Sequence, residues 1–179
     1  MNSYPPPGIE VKTIGFSEFC EVDDRVFKRR KGTQEWTEVV SEKSPSDDST
    51  LQLSLVHHNQ APGEPIHWAL YVARENEPGM VYEVKGDAEC MTYTPSLEPI
   101  QVMDLESFRT IYFIANLTDD DAAVVKEVAE QEPPPRAASR KDVKENCQGW
   151  AVRVLARLAD LGIVDATKVE MARAMLQPI

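Results

Sequence analysis

The feature that most constrains the fold of this chain is an amphipathic helix pattern near its end. After Cys147 the apolar residues recur at i, i+3, i+4 and i+7, which is typical of a helix with one buried face. They are Trp150, Ala151, Val154, Leu155, Leu158 and Leu161. Asp142 and Glu145 stand in the spacing of a capping box, so the helix is predicted to begin near Val143. Gly162 is its predicted end.

Before this helix the apolar residues alternate with period two, which predicts strands. Leu51, Leu53 and Leu55 alternate with polar residues in a strand that ends near the two adjacent histidines, His57 and His58. Further strands are predicted at 66–72, 80–85, 90–94 and 108–117. The last of these is apolar on both faces, so it is predicted to be buried. The pattern predicts an α+β fold, with a small antiparallel sheet against the Cys147 helix.

Two other helices and an N-terminal region complete the predicted organisation. Thr118 and the acidic residues 119–121 are predicted to cap one helix, and Asp165 a last helix to about Leu176. Residues 1–50 are predicted to form a lead at 4–8, a β-hairpin turning near Gly32 and a polar loop at 41–50. The basic residues 28–31 are interpreted as part of a solvated edge strand. Residues 51–179 are the predicted core, with a single compact domain overall.

Composition excludes several classes of partner. A formal charge of −11 argues against nucleic acid or an anionic membrane surface as the main partner. No run of about 18 apolar residues occurs, so no membrane span is predicted, and the first residues do not have the pattern of a signal peptide. The three cysteines are odd in number and widely spaced, which favours a reduced, cytoplasmic location.

Strand parity brings three reactive side chains toward one place. His67, Ala69 and Ala73 share one face of their strand, and Glu83 lies on the corresponding face of the next one. A register that sets His67 opposite Glu83 would let the carboxylate hold the imidazole. The two alanines are small and leave room for a helix. If that helix begins at Cys147, a thiol, an imidazole and a carboxylate converge, as nucleophilic catalysis requires.

Cys147 taken alone has two interpretations. It is either the first core residue of the helix, since free cysteine is among the most buried residue types, or a reactive thiol. Near a helix N-terminus the dipole favours the thiolate, which is the form that attacks a carbonyl carbon.

Three segments together resemble the circularly permuted papain-like thiol enzymes. They are His67-Trp68-Ala69-Leu70-Tyr71-Val72, Val81-Tyr82-Glu83-Val84 and Asn146-Cys147-Gln148. That group includes the lecithin:retinol acyltransferase family, the permuted NlpC-type hydrolases and the deSUMOylating isopeptidases. The resemblance covers residues 51–161. It implies a permuted papain-like fold with Cys147 as nucleophile, His67 as general base and acid, and Glu83 as the third member, with no cofactor.

Other residues are candidates for accessory roles. The backbone N–H of Cys147 is one predicted oxyanion donor, and the second is predicted to come from Gln52 or His57. Tyr71 and Trp150 either pack in the core or wall a substrate groove. His57 and His58 face opposite ways on a flat strand. Either one of them is a second site histidine on the face of His67, or both are ordinary residues at the edge of a loop. A zinc site of His57 or His58 with His67 and Cys147 has no recognised spacing, and no metal is predicted.

The sequence therefore predicts a thiol-dependent hydrolase or acyltransferase. It would act on an amide or ester carbonyl of a small molecule, a peptide or an acyl compound through a thioester on Cys147. Two alternatives are kept: a catalytically silent binding domain with the same fold, and an accessory protein that binds a small acyl molecule without turning it over.

Overall fold

The computed structural model describes residues 11–14, 17–22, 25–33, 36–39 and 50–179. The predicted lead at 4–8 and the predicted loop at 41–50, except for its last residue, lie outside the described residues. The chain divides into two compact units, Met1–Asp48 and Ser49–Ile179. The boundary predicted from the sequence falls after residue 50, and the expectation of a single compact domain stays a prediction.

The first unit carries a four-stranded antiparallel sheet whose strands follow one another in chain order. They are β1 (Val11–Ile14), β2 (Ser17–Val22), β3 (Arg25–Arg30) and β4 (Thr37–Val39). β3 and β4 pair antiparallel, as in the predicted hairpin. The basic residues do not lie on an edge strand, because β3 lies between β2 and β4. Arg29 instead donates to Glu18 at 2.6 Å and its guanidinium lies 4.6 Å from the ring centroid of Trp36.

The second unit has a small antiparallel sheet and three helices, so the α+β class is confirmed. The strands of the main sheet are β5 (Leu51–His58), β6 (His67–Ala73), β7 (Met80–Tyr82) and β10 (Phe108–Leu117). Their order across the sheet is β10-β5-β6-β7. A two-stranded ribbon pairs β8 (Val84–Lys85) with β9 (Thr92–Tyr93). The helices are α1 (Asp119–Gln131), α2 (Cys147–Asp160) and α3 (Ala166–Ala174).

Each helix begins at a side-chain cap. Thr118 caps α1 in a complete capping box with Asp121, and Asp165 caps α3, both as predicted. Asn146 caps α2, where the sequence analysis placed the start of the helix earlier.

The two faces of the sheet are covered by different parts of the chain. Trp68 and Leu70 of β6 lie in the main core with Trp150 and Leu155 of α2. Ala69, Tyr71 and Ala73 lie in a second cluster with Val102, Ile100 and Phe108. The prediction that α2 packs against the face with the small alanines is therefore wrong. The bulkier apolar side chains of the opposite face bury more surface against the helix, and burial scales with apolar area.

β10 is an edge strand, so the prediction that it is buried on both faces is wrong. Only two of its ten residues are buried, and Phe113 is 44% exposed. Its apolar residues serve both clusters, Ile114 in one and Ile111 in the other. The edge is partly covered because Lys168 donates to the Phe113 carbonyl oxygen at 3.2 Å.

Candidate functional site

Cys147 is the first residue of α2, because the helix begins four residues later than the sequence analysis predicted. Asn146 has an extended backbone, and its Oδ1 accepts the Gln148 N–H at 2.9 Å. The predicted cap residue Glu145 instead forms an ion pair with Arg153. In the part of the chain that the structure describes, the backbone N–H of Cys147 has no hydrogen-bond acceptor. The thiol therefore stands beside free N–H groups at the positive end of the helix.

His67 and Glu83 form a hydrogen bond, although the predicted register is wrong. β6 and β7 pair Leu70 with Tyr82, so the same register sets Glu83 opposite Ala69 rather than His67. The turn centres on Asn76, which adopts a positive φ of 60°, instead of on Glu75. A diagonal neighbour on the same face is still within reach of a long side chain. Glu83 Oε2 lies 2.6 Å from His67 Nε2.

Glu83 is held by two cationic groups, one on each oxygen. Its Oε1 lies 2.7 Å from Lys85 Nζ, while its Oε2 faces His67. Burial raises the pKa of Glu83, but hydrogen bonds and charge from His67 and Lys85 outweigh this and lower it. The carboxylate is therefore ionised and fixed in orientation. Lys85 lies on the same side of the chain as Glu83, as the alternation of side chains along a strand predicts.

The imidazole of His67 lies between that carboxylate and the Cys147 thiol. Burial lowers the pKa of His67, but hydrogen bonds and charge from Cys147 and Glu83 raise it to about 9. Because Nε2 is taken by Glu83, Nδ1 is the nitrogen available to the thiol. The structure thus brings the three predicted residues together, with His67 protonated at neutral pH.

A buried amide cluster joins the elements that carry the thiol and the imidazole. Gln148 is almost fully buried, and its Nε2 donates to the Ile66 carbonyl oxygen at 2.7 Å and to Gln177 Oε1 at 2.9 Å. The backbone N–H of Ile66 donates to the same Gln177 oxygen at 2.6 Å. The Gln177 N–H in turn donates to Gln148 Oε1 at 2.9 Å. These bonds hold the first turn of α2 against the start of β6, one residue from His67.

His67, Glu83 and Cys147 line one cavity of about 700 Å³. Val81, Ile100, Leu105 and Met91 give it apolar walls, and Asp87 and Arg140 form an ion pair at 3.1 Å on its lining. The sequence did not indicate this cavity, because its lining comes from turns and loops far apart in the chain.

The other predicted site residues do not line the cavity. Gln52 lies at the far end of β5 from His58, opposite Ala73. Tyr71 donates to the Ile100 carbonyl oxygen at 3.0 Å in the second cluster. Trp150 is fully buried, and its Nε1 donates to the Glu132 carbonyl oxygen at 3.1 Å.

The two adjacent histidines separate to opposite faces of β5. His57 stacks on Trp68 with 4.7 Å between ring centroids, and burial lowers the pKa of His57 to about 4. His58 lies opposite His67 and lines the cavity. Parity indicated that one of the pair shares the face of His67, but not which one. Ser107, which lies 3.1 Å from His58, had no signal in the sequence.

The described residues include no set of three or more His, Cys, Asp or Glu side chains placed to hold a metal ion. Within the same residues, no helix has the length and apolarity needed to cross a membrane.

Comparison with protein families gives a match over residues 53–165 to a family of unknown function (DUF6540). The matched residues include His67, Glu83 and Cys147. Comparison with curated proteins and with solved structures finds no match.

Proposed function

The chain belongs to the family of unknown function DUF6540, and we propose that it is a thiol-dependent hydrolase or acyltransferase. The observation that carries the proposal is the convergence of Cys147, His67 and Glu83 on the lining of one cavity, with Glu83 Oε2 2.6 Å from His67 Nε2. A nucleophile, a base and a group that orients the base are the parts that covalent catalysis by a thiol requires.

The resting state of the proposed site is an ion pair. His67 holds the proton of Cys147 on Nδ1, and Glu83 stabilises the resulting imidazolium through Nε2. The helix N-terminus stabilises the thiolate. In this proposal the nucleophile is the thiolate of that pair.

Acyl transfer then proceeds in two halves. Cys147 Sγ bonds to the carbonyl carbon, and the carbonyl electron pair moves to the oxygen, where the Cys147 backbone N–H stabilises it. His67 gives its proton to the leaving amine or alkoxide as the C–N or C–O bond breaks, which leaves a thioester. His67 then takes a proton from water or another acceptor, whose attack releases the acyl group and restores the thiolate–imidazolium pair.

The arrangement of elements also fits the permuted papain-like fold that we propose for the second unit. In that fold the histidine strand precedes the cysteine helix, as β6 precedes α2 here. The α2 helix packs on β6 and brings its first turn to the end of the strand where His67 lies.

One observation favours the rival hypothesis of a silent binding domain. Cys147 is only 3% exposed, so a substrate carbonyl reaches the sulfur only through the cavity. If exposure alone decides reactivity, Cys90 should react fastest, because it is exposed while Cys20 and Cys147 are buried. If the site activates its thiol, Cys147 should react fastest.

The test is the rate of alkylation of each cysteine by iodoacetamide at pH 7, followed by peptide mass spectrometry. An unperturbed thiol is only a few per cent thiolate at that pH. An ion-paired Cys147 should therefore react about tenfold or more faster than Cys90, in spite of its burial. His67→Ala should remove that advantage.

The control is Cys147→Ser, in which the fast phase should disappear while the Cys90 rate is unchanged. Fastest labelling of Cys90 in the wild-type protein, with Cys147 slow and insensitive to His67→Ala, would contradict the proposed function and leave the silent binding domain.

A further inference from the structure

His58 stands beside the proposed catalytic pair without a part in the mechanism described above. It ends β5 directly opposite His67, and the two ring centroids lie 6.1 Å apart. Directly opposed residues of an antiparallel pair project from the same face of the sheet. His58 is 7% exposed, and it lines the same cavity as Cys147. The position places a second imidazole within the space that a substrate carbonyl would enter.

Ser107 fixes one nitrogen of this ring. Its Oγ lies 3.1 Å from His58 Nδ1. Ser107 is itself held in place, because its carbonyl oxygen accepts the Asn59 N–H at 2.7 Å and the next residue, Phe108, pairs with His58 in the sheet. Among the described residues, Nε2 of His58 has no hydrogen-bond partner. One side of the ring is thus anchored and the other is available to a ligand.

The protonation of the ring matters for what it can do. Burial is the main cause that lowers the pKa of His58, and the charge of His67 lowers it further. His58 is therefore neutral at pH 7, whereas its neighbour His67 is protonated. A neutral imidazole carries a single N–H, and the group bonded to one nitrogen decides which nitrogen has it. A hydroxyl that donates to Nδ1 leaves the proton on Nε2.

We propose that His58 is the second donor of the oxyanion site, with Ser107 Oγ–H donating to Nδ1 and Nε2–H donating to the carbonyl oxygen of the substrate. The first donor is the backbone N–H of Cys147. His58 forms no covalent bond and transfers no proton in either half of the reaction. It stabilises the negative oxygen that forms when Cys147 adds to the carbonyl carbon. This inference rests on the proposed thiol function and replaces Gln52 and His57 as candidates for the second donor.

A neutral donor suits this position better than a charged one. A protonated His58 would repel the His67 imidazolium and weaken the resting ion pair. A neutral imidazole leaves that pair intact and still donates one hydrogen bond in a partly enclosed cavity, where preorganised donors are most effective.

The test compares two reactions of the same thiol in the full chain. In alkylation by iodoacetamide the thiolate attacks a saturated carbon, so no oxyanion forms. Acylation by p-nitrophenyl acetate passes through a tetrahedral oxyanion, and its burst of p-nitrophenolate measures the rate. Loss of one oxyanion donor costs about 10² to 10³ in rate. His58→Ala should therefore slow acylation by about that factor and leave the alkylation rate of Cys147 within about twofold.

Two further variants keep the proposal falsifiable if His58→Ala is poorly folded. His58→Gln retains an N–H donor of similar reach, and we expect it to recover at least about tenfold of the lost acylation rate. Ser107→Ala removes the hydroxyl that fixes the tautomer and the orientation of the His58 ring. It should therefore slow acylation by about tenfold without changing the alkylation rate of Cys147. Circular dichroism and urea denaturation check that each variant is folded.

The possible outcomes separate the two proposals. Equal acylation rates in wild-type protein, His58→Ala and Ser107→Ala would overturn the role of His58 while leaving the reactive thiol in place. Equal slowing of alkylation and acylation in His58→Ala would also overturn it, since His58 would then act on the ion pair. A wild-type thiol that is neither alkylated quickly nor acylated would overturn the proposed function and this inference with it.

Discussion

At the scale of single residues, the site depends on how charge is distributed around His67. The imidazole has the Glu83 carboxylate on Nε2 and the Cys147 thiol beside it, and that carboxylate is held in turn by Lys85. His67 is nearly buried, whereas the side chain of Lys85 is 57% exposed. Cys147 and Glu83 both raise the pKa of His67, whereas Lys85 acts on Glu83 through a contact that solvent screens.

This charge distribution predicts how stability depends on pH. The pKa of His67 is raised from 6.5 to about 9 in the folded protein. Its stabilising contribution is therefore fully present below pH 6.5 and is lost as the pH rises through 9. The free energy of unfolding should fall by roughly 1–3 kcal/mol between these two pH values. Urea denaturation at several pH values measures it.

Glu83→Gln should flatten this pH dependence, because the amide keeps the shape of the side chain but not its charge. Lys85→Met is the matched control, since it leaves the contact between Glu83 and His67 in place and should change the slope much less. The same slope in wild-type protein and Glu83→Gln would show that Glu83 does not set the pKa of His67.

The position of Glu83 beside His67 could be predicted from the sequence, whereas the position of Ser107 beside His58 could not. Side-chain parity survives a shift of two residues in register, so Glu83 faces His67 although the predicted register was wrong. Ser107 approaches His58 through the loop before β10, and no local pattern reports such a contact.

At the scale of elements, the position of the thiol depends on which residue begins α2. The sequence predicts a capping box at Asp142 and Glu145, which the structure does not form. The structure uses Asn146, while residues Arg140–Asp142 form a short 3-10 turn. Periodicity predicted the helix but not its first residue, because the apolar spacing is compatible with either start.

The cap of α2 is expected to serve both stability and reactivity. Asn146→Ala should destabilise the protein by about 1 kcal/mol, because the Gln148 N–H loses its acceptor. It should also slow alkylation of Cys147 severalfold, since the turn that holds the thiol frays. Urea denaturation and the alkylation rate measure the two effects.

Asp165→Ala is the matched control for this prediction. It removes the equivalent cap of α3, where Asp165 accepts the Thr167 N–H at 2.8 Å, outside the cavity. It should weaken the fold and leave the thiol reaction unchanged. An alkylation rate in Asn146→Ala equal to that of wild-type protein would mean that the cap has no part in the site.

At the scale of the whole molecule, every residue of the proposed site lies in the second compact unit, Ser49–Ile179. A fragment of residues 49–179 should therefore unfold cooperatively and show the same alkylation rate of Cys147 as the full chain. Urea denaturation and iodoacetamide labelling measure both properties. A fragment that folds but has lost the fast reaction would mean that residues 1–48 contribute to the site.

The α+β class could be predicted because strand and helix periods are local properties of the sequence. The face of the sheet that α2 covers could not be predicted, because it depends on which apolar side chains bury more area together. The amide cluster could not be predicted either, since Ile66 and Gln177 are 111 positions apart in the sequence.

That cluster also has a consequence for the order of events during synthesis of the protein. The ribosome adds Gln177 29 residues after Gln148, so the buried amide of Gln148 lacks two of its hydrogen bonds until then. Domains generally fold as units while the chain is made. A nascent chain that has passed residue 148 but not 177 therefore keeps only the bond from the Gln148 side chain to the Ile66 carbonyl oxygen. We therefore expect the first turn of α2, and the thiol it carries, to be fixed in place only after residue 177 has been added.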